Sequence, residues 1–184
     1  FEWPHVEYAR GRHIAFEKLR IPRVLWDAGV FVLFSIRIIG AGSIGNHLAN
    51  AARSRGWQVT LTDIDPAALL RARESIYPGR YGSWDDAIVL KDSREAFGDP
   101  ADVVFIGTPP DSHMTIALET LERVRPRALL IEKPLAGPGL DGCKKLHDVV
   151  LKSGVFAAVG YNHCIGKNTE RAEMAIRSGI LGNL

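Results

Sequence analysis

The feature that most restricts the fold of this chain is a glycine-rich turn that directly follows an apolar run. Residues 35–39 are predicted to form a strand. A G-x-G-x-x-G pattern comes next, made of Gly40, Gly42 and Gly45, with Ser43 and Ile44 before the last glycine. Between a strand and a helix, the first glycine permits the tight turn, the second lets the backbone approach a pyrophosphate, and the third lets the helix pack closely on the strand. Because phosphates bind at the positive N-terminal end of such a helix, the turn predicts a dinucleotide site.

An acidic residue stands where the second strand of such a unit should end. Residues 57–62 are predicted to be that strand. Asp63 follows it, roughly 20 residues past the glycines, where a carboxylate can hydrogen-bond the ribose hydroxyls of adenosine. Ile64 comes next, and no arginine or serine adjoins it to hold a 2′-phosphate, which favours NAD over NADP. The wide spacing of the first and third glycines makes S-adenosylmethionine the less favoured nucleotide. The other interpretation is that the glycines serve only as turn residues.

The composition indicates a soluble globular protein. The 184 residues are 46% hydrophobic and 24% charged, enough for one full domain and part of another. The net charge is +2 without a run of like charge, so there is no electrostatic basis for binding nucleic acid or a membrane. The 2 cysteines favour a reducing cytoplasm, and no metal site is expected because the histidines and cysteines lack metal-ligand spacing. The chain begins with Phe1, which leaves open a processed product, a trimmed chain or a piece of a longer polypeptide.

Apolar runs alternate with helical patterns from residue 36 onward, which predicts parallel strands joined by crossover helices. The predicted fold class is therefore α/β, a doubly wound parallel sheet of the Rossmann type, with its ligand crevice at the carboxyl ends of the strands. After the two strands above, others are expected at 88–90, 102–107, 128–132 and 155–160. We expect a nucleotide-binding domain over 35–166, preceded by an N-terminal extension of unclear role over 1–34.

Three of the predicted helices have specific signals. The first is expected to stop at Gly56 and to bury one face that carries Ile44, Leu48, Ala51 and Ala52. The second is expected to begin with Asp65 as N-cap and Pro66 as its first residue. The helix after the fourth strand is expected to be capped by Asp111 or Ser112.

Three further motifs fall where predicted strands end. Thr108-Pro109-Pro110 supplies a stiff wall for a flat ring or a ribose, or else only a rigid turn with His113 as an ordinary polar residue of the first helical turn. Glu132-Lys133-Pro134 presents a lysine that can donate to a substrate and take part in proton transfer, or else a surface lysine before a proline turn. Asn162 and His163 offer an amide and an imidazole to a polyhydroxy ligand, unless His163 is a hydrogen-bonded structural histidine.

Taken in series, these motifs resemble one protein family. The segments GAGSIG, Asp63, GTPPDSH, EKPLA and VGYNH, followed by a helix and SGILGNL, are similar in order and spacing to the Gfo/Idh/MocA family of NAD(P)-dependent oxidoreductases. The resemblance implies hydride transfer between a nicotinamide and a secondary alcohol or carbonyl of a sugar, cyclitol or related small molecule. It also implies a second, mostly antiparallel α+β substrate domain, through which subunits pair as a homo-oligomer and of which residues 167–184 are only the start.

The resemblance also implies a role for each matching residue. The glycine turn would hold the pyrophosphate, Asp63 and Ile64 the adenosine ribose, and the nicotinamide side would be lined by Thr108, Pro109 and His113. Glu132 and Lys133 would border the nicotinamide ribose and the substrate, with Lys133 catalytic, and Asn162 and His163 would lie near the substrate. The aspartate and histidine that complete the family's catalytic group belong to the second domain. Two other interpretations therefore stay open: a non-catalytic dinucleotide-binding module, and an inactive fragment of a larger oxidoreductase.

Overall fold

The computed structural model of the protein describes residues 33–161, 166–180 and 182. Within these ranges a parallel sheet has six strands in the order β3-β2-β1-β4-β5-β6, which is the Rossmann order. The predicted fold class is therefore confirmed, whereas residues 1–32 of the expected extension lie outside the described residues. The strands are β1 (Ser35–Ile39), β2 (Gln58–Asp63), β3 (Ile88–Asp92), β4 (Val103–Ile106), β5 (Ala128–Ile131) and β6 (Phe156–Val159).

The described helices cover both faces of this sheet. A turn of π-helix at Ala72–Ile76 joins the second and third of them into one continuous segment. None of the helices in the described ranges combines the length and the apolar composition that a membrane-spanning segment needs. The helices are α1 (Ser43–Arg53), α2 (Pro66–Arg71), α3 (Tyr77–Tyr81), α4 (Ser93–Ala96), α5 (Pro110–Arg123), α6 (Cys143–Ser153) and α7 (Lys167–Arg177).

The register of the sheet brings the carboxyl ends of the strands level with one another. Ile39 lies beside Thr62 on one side and Ile106 on the other, and Ile106 lies beside Ile131. The central strands are rich in β-branched residues because both of their faces are covered. The loops that follow β1, β2, β4 and β5 therefore open onto one edge of the sheet, where the ligand crevice is expected.

The buried face of α1 differs from the predicted one. The helix buries Gly45, Asn46, Ala49 and Ala52, whereas Ile44 is 38% exposed and Ala51 is also exposed. The prediction is confirmed for Ala52 and for Leu48, which packs against the core, and was wrong for Ile44 and Ala51 because it followed the apolar residues alone. The close packing of Gly45 against the glycine turn rotates α1 so that Ile44 faces the crevice.

The starts of α2 and α5 test the predicted caps. Asp65 caps α2 as expected, since its side chain accepts a hydrogen bond from the amide of Ala67 at 2.9 Å. The caps predicted for α5 were wrong, because the helix begins at Pro110 with Pro109 as N-cap and has no side-chain cap. Proline has a fixed φ and no N–H to satisfy, so it suits the first position of a helix.

The loop before β3 is fastened to α1 by an ion pair. Asp85 Oδ2 accepts a hydrogen bond from Arg53 Nε at 2.8 Å, and Asp85 Oδ1 accepts one from the amide of Ala87 at 2.9 Å. The bond from Arg53 lowers the pKa of the Asp85 carboxyl below its ordinary value of 3.8, while burial opposes this. A carboxyl whose pKa is depressed by folding stabilises the fold above its unfolded pKa, and this contribution disappears as the pH falls through the folded pKa.

Replacing Asp85 by asparagine should therefore lower the free energy of unfolding at neutral pH by about 1 kcal/mol, since the pair is partly exposed. The difference in the free energy of unfolding between this variant and the wild type should shrink as the pH falls toward about 3. Urea unfolding at both pH values measures this, and Asp86→Asn at the exposed neighbouring position is the matched control. Equal losses for the two variants would contradict the role given to Asp85.

Candidate functional site

Two of the three motif glycines are required by the packing of the chain itself. Gly40 has a φ of +108°, and a Cβ built on it would lie 2.8 Å from the carbonyl carbon of Gly107. A Cβ on Gly45 would lie only 1.9 Å from the carbonyl oxygen of Gly40. No side chain fits at either position. Because both residues lack a Cβ, the backbones of α1, β1 and the end of β4 come into direct contact.

The third glycine has no such explanation within the described residues. A Cβ on Gly42 would meet nothing within 4 Å, and the φ of −75° is open to any residue. Gly42 is the N-cap of α1, lines the cavity described below and offers no side chain to the free N–H groups of the helix. The first turn of α1 also contains no acidic residue. The positive end of the helix is thus bare and open, as a binding site for phosphate requires.

Asp63 joins the loops that follow β1 and β2. Its Oδ2 accepts a hydrogen bond from the amide of Ala41 at 2.8 Å, and its Oδ1 accepts one from the amide of Asp65 at 3.0 Å. A carboxylate has about four acceptor positions, so these two bonds leave it free to accept from ribose hydroxyls as well. Because Asp63 also lines the cavity, its charge lies beside the glycine turn.

Asn46 holds the glycine turn from inside the fold. Its amide nitrogen donates to the carbonyl oxygens of Ala41 at 2.9 Å and Gly42 at 2.8 Å, and the residue is completely buried. These bonds keep the loop carbonyls on the inner side. The sequence motif indicated the glycines but gave no signal for this asparagine.

A cavity of about 1010 Å³ lies along the carboxyl ends of β1, β2 and β4. This is the size of a site for a large organic ligand. Eight of the predicted site residues line it, and they are Gly40, Gly42, Ser43, Ile44, Asp63, Ile64, Thr108 and Pro109. Gly45 lies behind the turn, and Asn162 and His163 lie outside the described residues. The structure thus brings the predicted phosphate and ribose ligands together in one cavity wall.

His113 lies behind the wall rather than in it, which differs from the expected contact with the nicotinamide side. The ring is completely buried, with Nε2 2.8 Å from the carbonyl oxygen of Thr108 and Nδ1 2.9 Å from that of Pro134. A side chain enclosed in this way has no surface to offer a coenzyme. Its position instead links the loops after β4 and β5, so His113 sets the distance between two parts of the crevice.

Glu132 and Lys133 lie at the end of β5, outside the wall of the cavity. Glu132 is half-buried and packs against β6, since its Oε2 would lie 2.6 Å from a Cβ on Gly160. The side chain of Lys133 is exposed. Among the described residues, Lys133 therefore follows the carboxyl end of β5 but lies in exposed rather than desolvated surroundings.

A comparison with protein families decides the identity of this domain. The family model described as an oxidoreductase family with an NAD-binding Rossmann fold, Gfo/Idh/MocA, matches residues 34–161. The chain belongs to this family. The resemblance that the motifs indicated is thereby confirmed. No curated protein matches the sequence significantly.

Solved structures with the same fold include two dehydrogenases and a regulator. UDP-N-acetylglucosamine 3-dehydrogenase GnnA from Acidithiobacillus ferrooxidans is 17% identical with a TM-score of 0.64, over 78% of this chain and 42% of that one. Scyllo-inositol dehydrogenase from Lactobacillus casei, solved with NAD(H) and scyllo-inositol, is 19% identical with a TM-score of 0.61, over 83% of this chain and 43% of that one. The transcriptional regulator Gal80p from Kluyveromyces lactis is 14% identical with a TM-score of 0.59, over 82% of this chain and 38% of that one. The chain thus spans about two fifths of the length of these proteins and shares their fold.

The structure adds two arginines and a serine, missed by sequence reasoning, to the part of the cavity that contains Asp63. Arg71, Ser93 and Arg94 line the same cavity as Asp63, so the expectation that no arginine or serine stands near the ribose site was wrong. Sequence distance misled it, because α2 brings Arg71 back to the crevice and Ser93 directly follows Asp92, which pairs with Asp63 in the sheet.

Replacing Asn46 by aspartate tests the bracing of the glycine turn. The new carboxylate oxygen would face the carbonyl oxygens of Ala41 and Gly42, so the free energy of unfolding should fall by about 2–4 kcal/mol. Asn50→Asp, one turn further along α1, is the control, because the oxygen of Asn50 accepts from Tyr77 at 3.3 Å and aspartate keeps that acceptor. Urea unfolding measures both variants, and an Asn46→Asp protein as stable as Asn50→Asp would contradict the bracing role.

Proposed function

We propose that this chain is the NAD-binding part of an oxidoreductase that transfers hydride between nicotinamide and a secondary alcohol or carbonyl of a sugar, cyclitol or related small molecule. The observation that carries the proposal is Gly42: a Cβ there would meet none of the described residues within 4 Å, and the missing side chain leaves the bare end of α1 open to a ligand. The family match supports the reaction class. The names of the two dehydrogenases that share the fold support the substrate class.

The residues present fit a dinucleotide. The amides at the start of α1, near Ser43 and Ile44, would hold the phosphates, and the carboxylate of Asp63 would accept from the adenosine ribose. Thr108 and Pro109 would border the nicotinamide side. When bound, NAD supplies the ring that accepts the hydride. The chain's own contribution is to orient that ring at the rigid ends of the strands.

The charges at the adenosine end support NAD rather than NADP. Each of the two arginines in the wall already has a carboxylate partner. Arg71 Nη2 lies 3.3 Å from Asp65 Oδ2, and Arg94 Nη1 lies 3.3 Å from Asp92 Oδ2. The carboxylate of Asp63, which forms no ion pair with the other described residues, lies in the same wall. A 2′-phosphate, with its nearly two negative charges, would meet more acidic than free basic groups there.

Lys133 is proposed to exchange a proton with the substrate hydroxyl at the end of β5, with Asn162 and His163 close to the substrate. The exposure of Lys133 in the described residues agrees with a site that a further domain closes. The proposal includes such a domain, the start of which would be residues 167–184. It also includes homo-oligomer formation through that domain and a cytoplasmic location, which the cysteine usage favours.

A second candidate is a dinucleotide-binding module without catalysis. The specific observation that favours it is the fold shared with a protein named as a transcriptional regulator. Binding of NAD without turnover of any substrate would support this module. An inactive fragment of a larger oxidoreductase would show neither.

Alanine substitutions at Gly42 and Gly45 test the coenzyme site. Gly42→Ala should cost less than about 1 kcal/mol of stability, yet raise the Kd for NAD at least about tenfold, because the new methyl group occupies space that the phosphates need. Gly45→Ala should instead lower the free energy of unfolding by about 1–3 kcal/mol through its clash with the carbonyl of Gly40.

Calorimetric titration with NAD and NADP, together with urea unfolding, measures these effects. The wild type should bind NAD more tightly than NADP. The proposal fails if the wild type binds neither coenzyme, or if Gly42→Ala binds NAD as tightly as the wild type.

The role of Lys133 is tested by turnover. In the protein with all its domains, Lys133→Ala should reduce the rate of NAD reduction with the preferred sugar or cyclitol by at least about a hundredfold, while NAD binding changes little. Lys145→Ala, at an exposed lysine of α6, is the control. The absorbance of the reduced nicotinamide measures the rate, and normal turnover by Lys133→Ala would remove that lysine from the mechanism.

A further inference from the structure

A second element reaches the N-terminus of α1 from the side. Arg80, in α3, donates from Nη1 to the carbonyl oxygen of Ser43 at 2.8 Å and from Nη2 to its hydroxyl oxygen at 2.7 Å. Ser43 is the first residue of α1 and lines the cavity. The guanidinium of Arg80 therefore lies beside the end of the helix that carries the free N–H groups.

The packing of α3 along α1 fixes Arg80 at this position. The hydroxyl of Tyr77 donates to Asn50 Oδ1 at 3.3 Å, and the hydroxyl of Tyr81 is hydrogen-bonded to Nδ1 of His47. These contacts lie on successive turns of α1, below the contact of Arg80 with Ser43. The way α3 packs along α1 thus positions the guanidinium of Arg80 at the start of α1.

Arg80 forms no ion pair with the described part of the chain. Three other arginines near the crevice or on α1 form ion pairs with aspartates, and they are Arg53, Arg71 and Arg94. No ion pair of the described residues includes Arg80, and the first turn of α1 supplies no carboxylate. The carboxylate beside the glycine turn, that of Asp63, accepts from the amides of Ala41 and Asp65 and not from Arg80. The guanidinium and the positive end of the helix dipole therefore lie together without an ion pair between Arg80 and an acidic side chain, an arrangement that an anion would stabilise.

We propose that Arg80 is a ligand of the coenzyme pyrophosphate, delivered by α3 and positioned by Ser43. A guanidinium has five N–H donors, and its two bonds to Ser43 leave others for a phosphate oxygen. The proposal rests on the proposed function, because it takes the bound anion to be the dinucleotide. It adds a cationic contact that lies outside the glycine motif and comes from a separate helix.

Binding of matched ligands to variants at position 80 tests this. Calorimetric titrations use NAD, ADP and adenosine, of which only the first two carry a pyrophosphate. Arg80→Gln should raise the Kd for NAD and for ADP by about tenfold to a hundredfold, as expected for the loss of a charged hydrogen bond, and should leave adenosine binding unchanged. Arg80→Lys should lie between Arg80→Gln and the wild type, since lysine keeps the charge and loses the planar fork.

Arg73→Gln is the matched control, because Arg73, like Arg80, is an exposed arginine of this helical segment outside the cavity wall, but has no hydrogen bond to Ser43. It should bind all three ligands as the wild type does. The inference is overturned if Arg80→Gln binds NAD and ADP as tightly as Arg73→Gln, or if it weakens adenosine binding by the same factor as ADP binding. A wild type that binds no NAD would instead overturn the proposed function, and this inference with it.

Discussion

The contact between Gly45 and the carbonyl oxygen of Gly40 is the constraint on which the site depends. A Cβ at position 45 would lie 1.9 Å from that oxygen, so α1 can begin at this point only because the side chain is missing. The contact lets the helix start directly beneath the turn that ends β1. Its free N–H groups then lie at the carboxyl edge of the sheet, level with the ends of the neighbouring strands. Without this close approach the positive end of α1 would not reach the crevice.

Polar side chains then convert this packing into a preformed site. Asn46 binds the loop carbonyls from below, and Asp63 binds the amide of Ala41 from the side of β2. On the other side of β1, His113 holds the Thr108 carbonyl and thereby the wall after β4. The bond of Asp63 joins the ends of β1 and β2, and the second ring nitrogen of His113 joins the loop after β4 to the loop after β5. Asn46 braces the turn between β1 and α1. The crevice therefore has its shape before any ligand enters it, which reduces the entropy lost on binding.

Local signals predicted the features that depend on a few adjacent residues. The glycine turn, the Asp65 cap and the six parallel strands follow from backbone geometry and hydrophobic pattern, and the structure confirms them, with some strand ends shifted by one or two residues. Features set by packing between distant elements were not predicted. Arg80 lies 37 positions from Ser43 in the chain, and nothing near either residue indicates their contact. The buried ring of His113 is a similar case, since its two partners come from different loops.

The central claim, that dinucleotide phosphates bind the amides at the start of α1, is tested most directly by nitrogen-edited NMR of the backbone amides during a titration with NAD. The account predicts that the amide signals of Ser43 and Ile44 shift in a saturable way. The amides of Ser35 and Gln58, at the opposite edge of the sheet, should stay in place. Unshifted signals for Ser43 and Ile44 at a concentration of NAD that saturates binding would contradict the account.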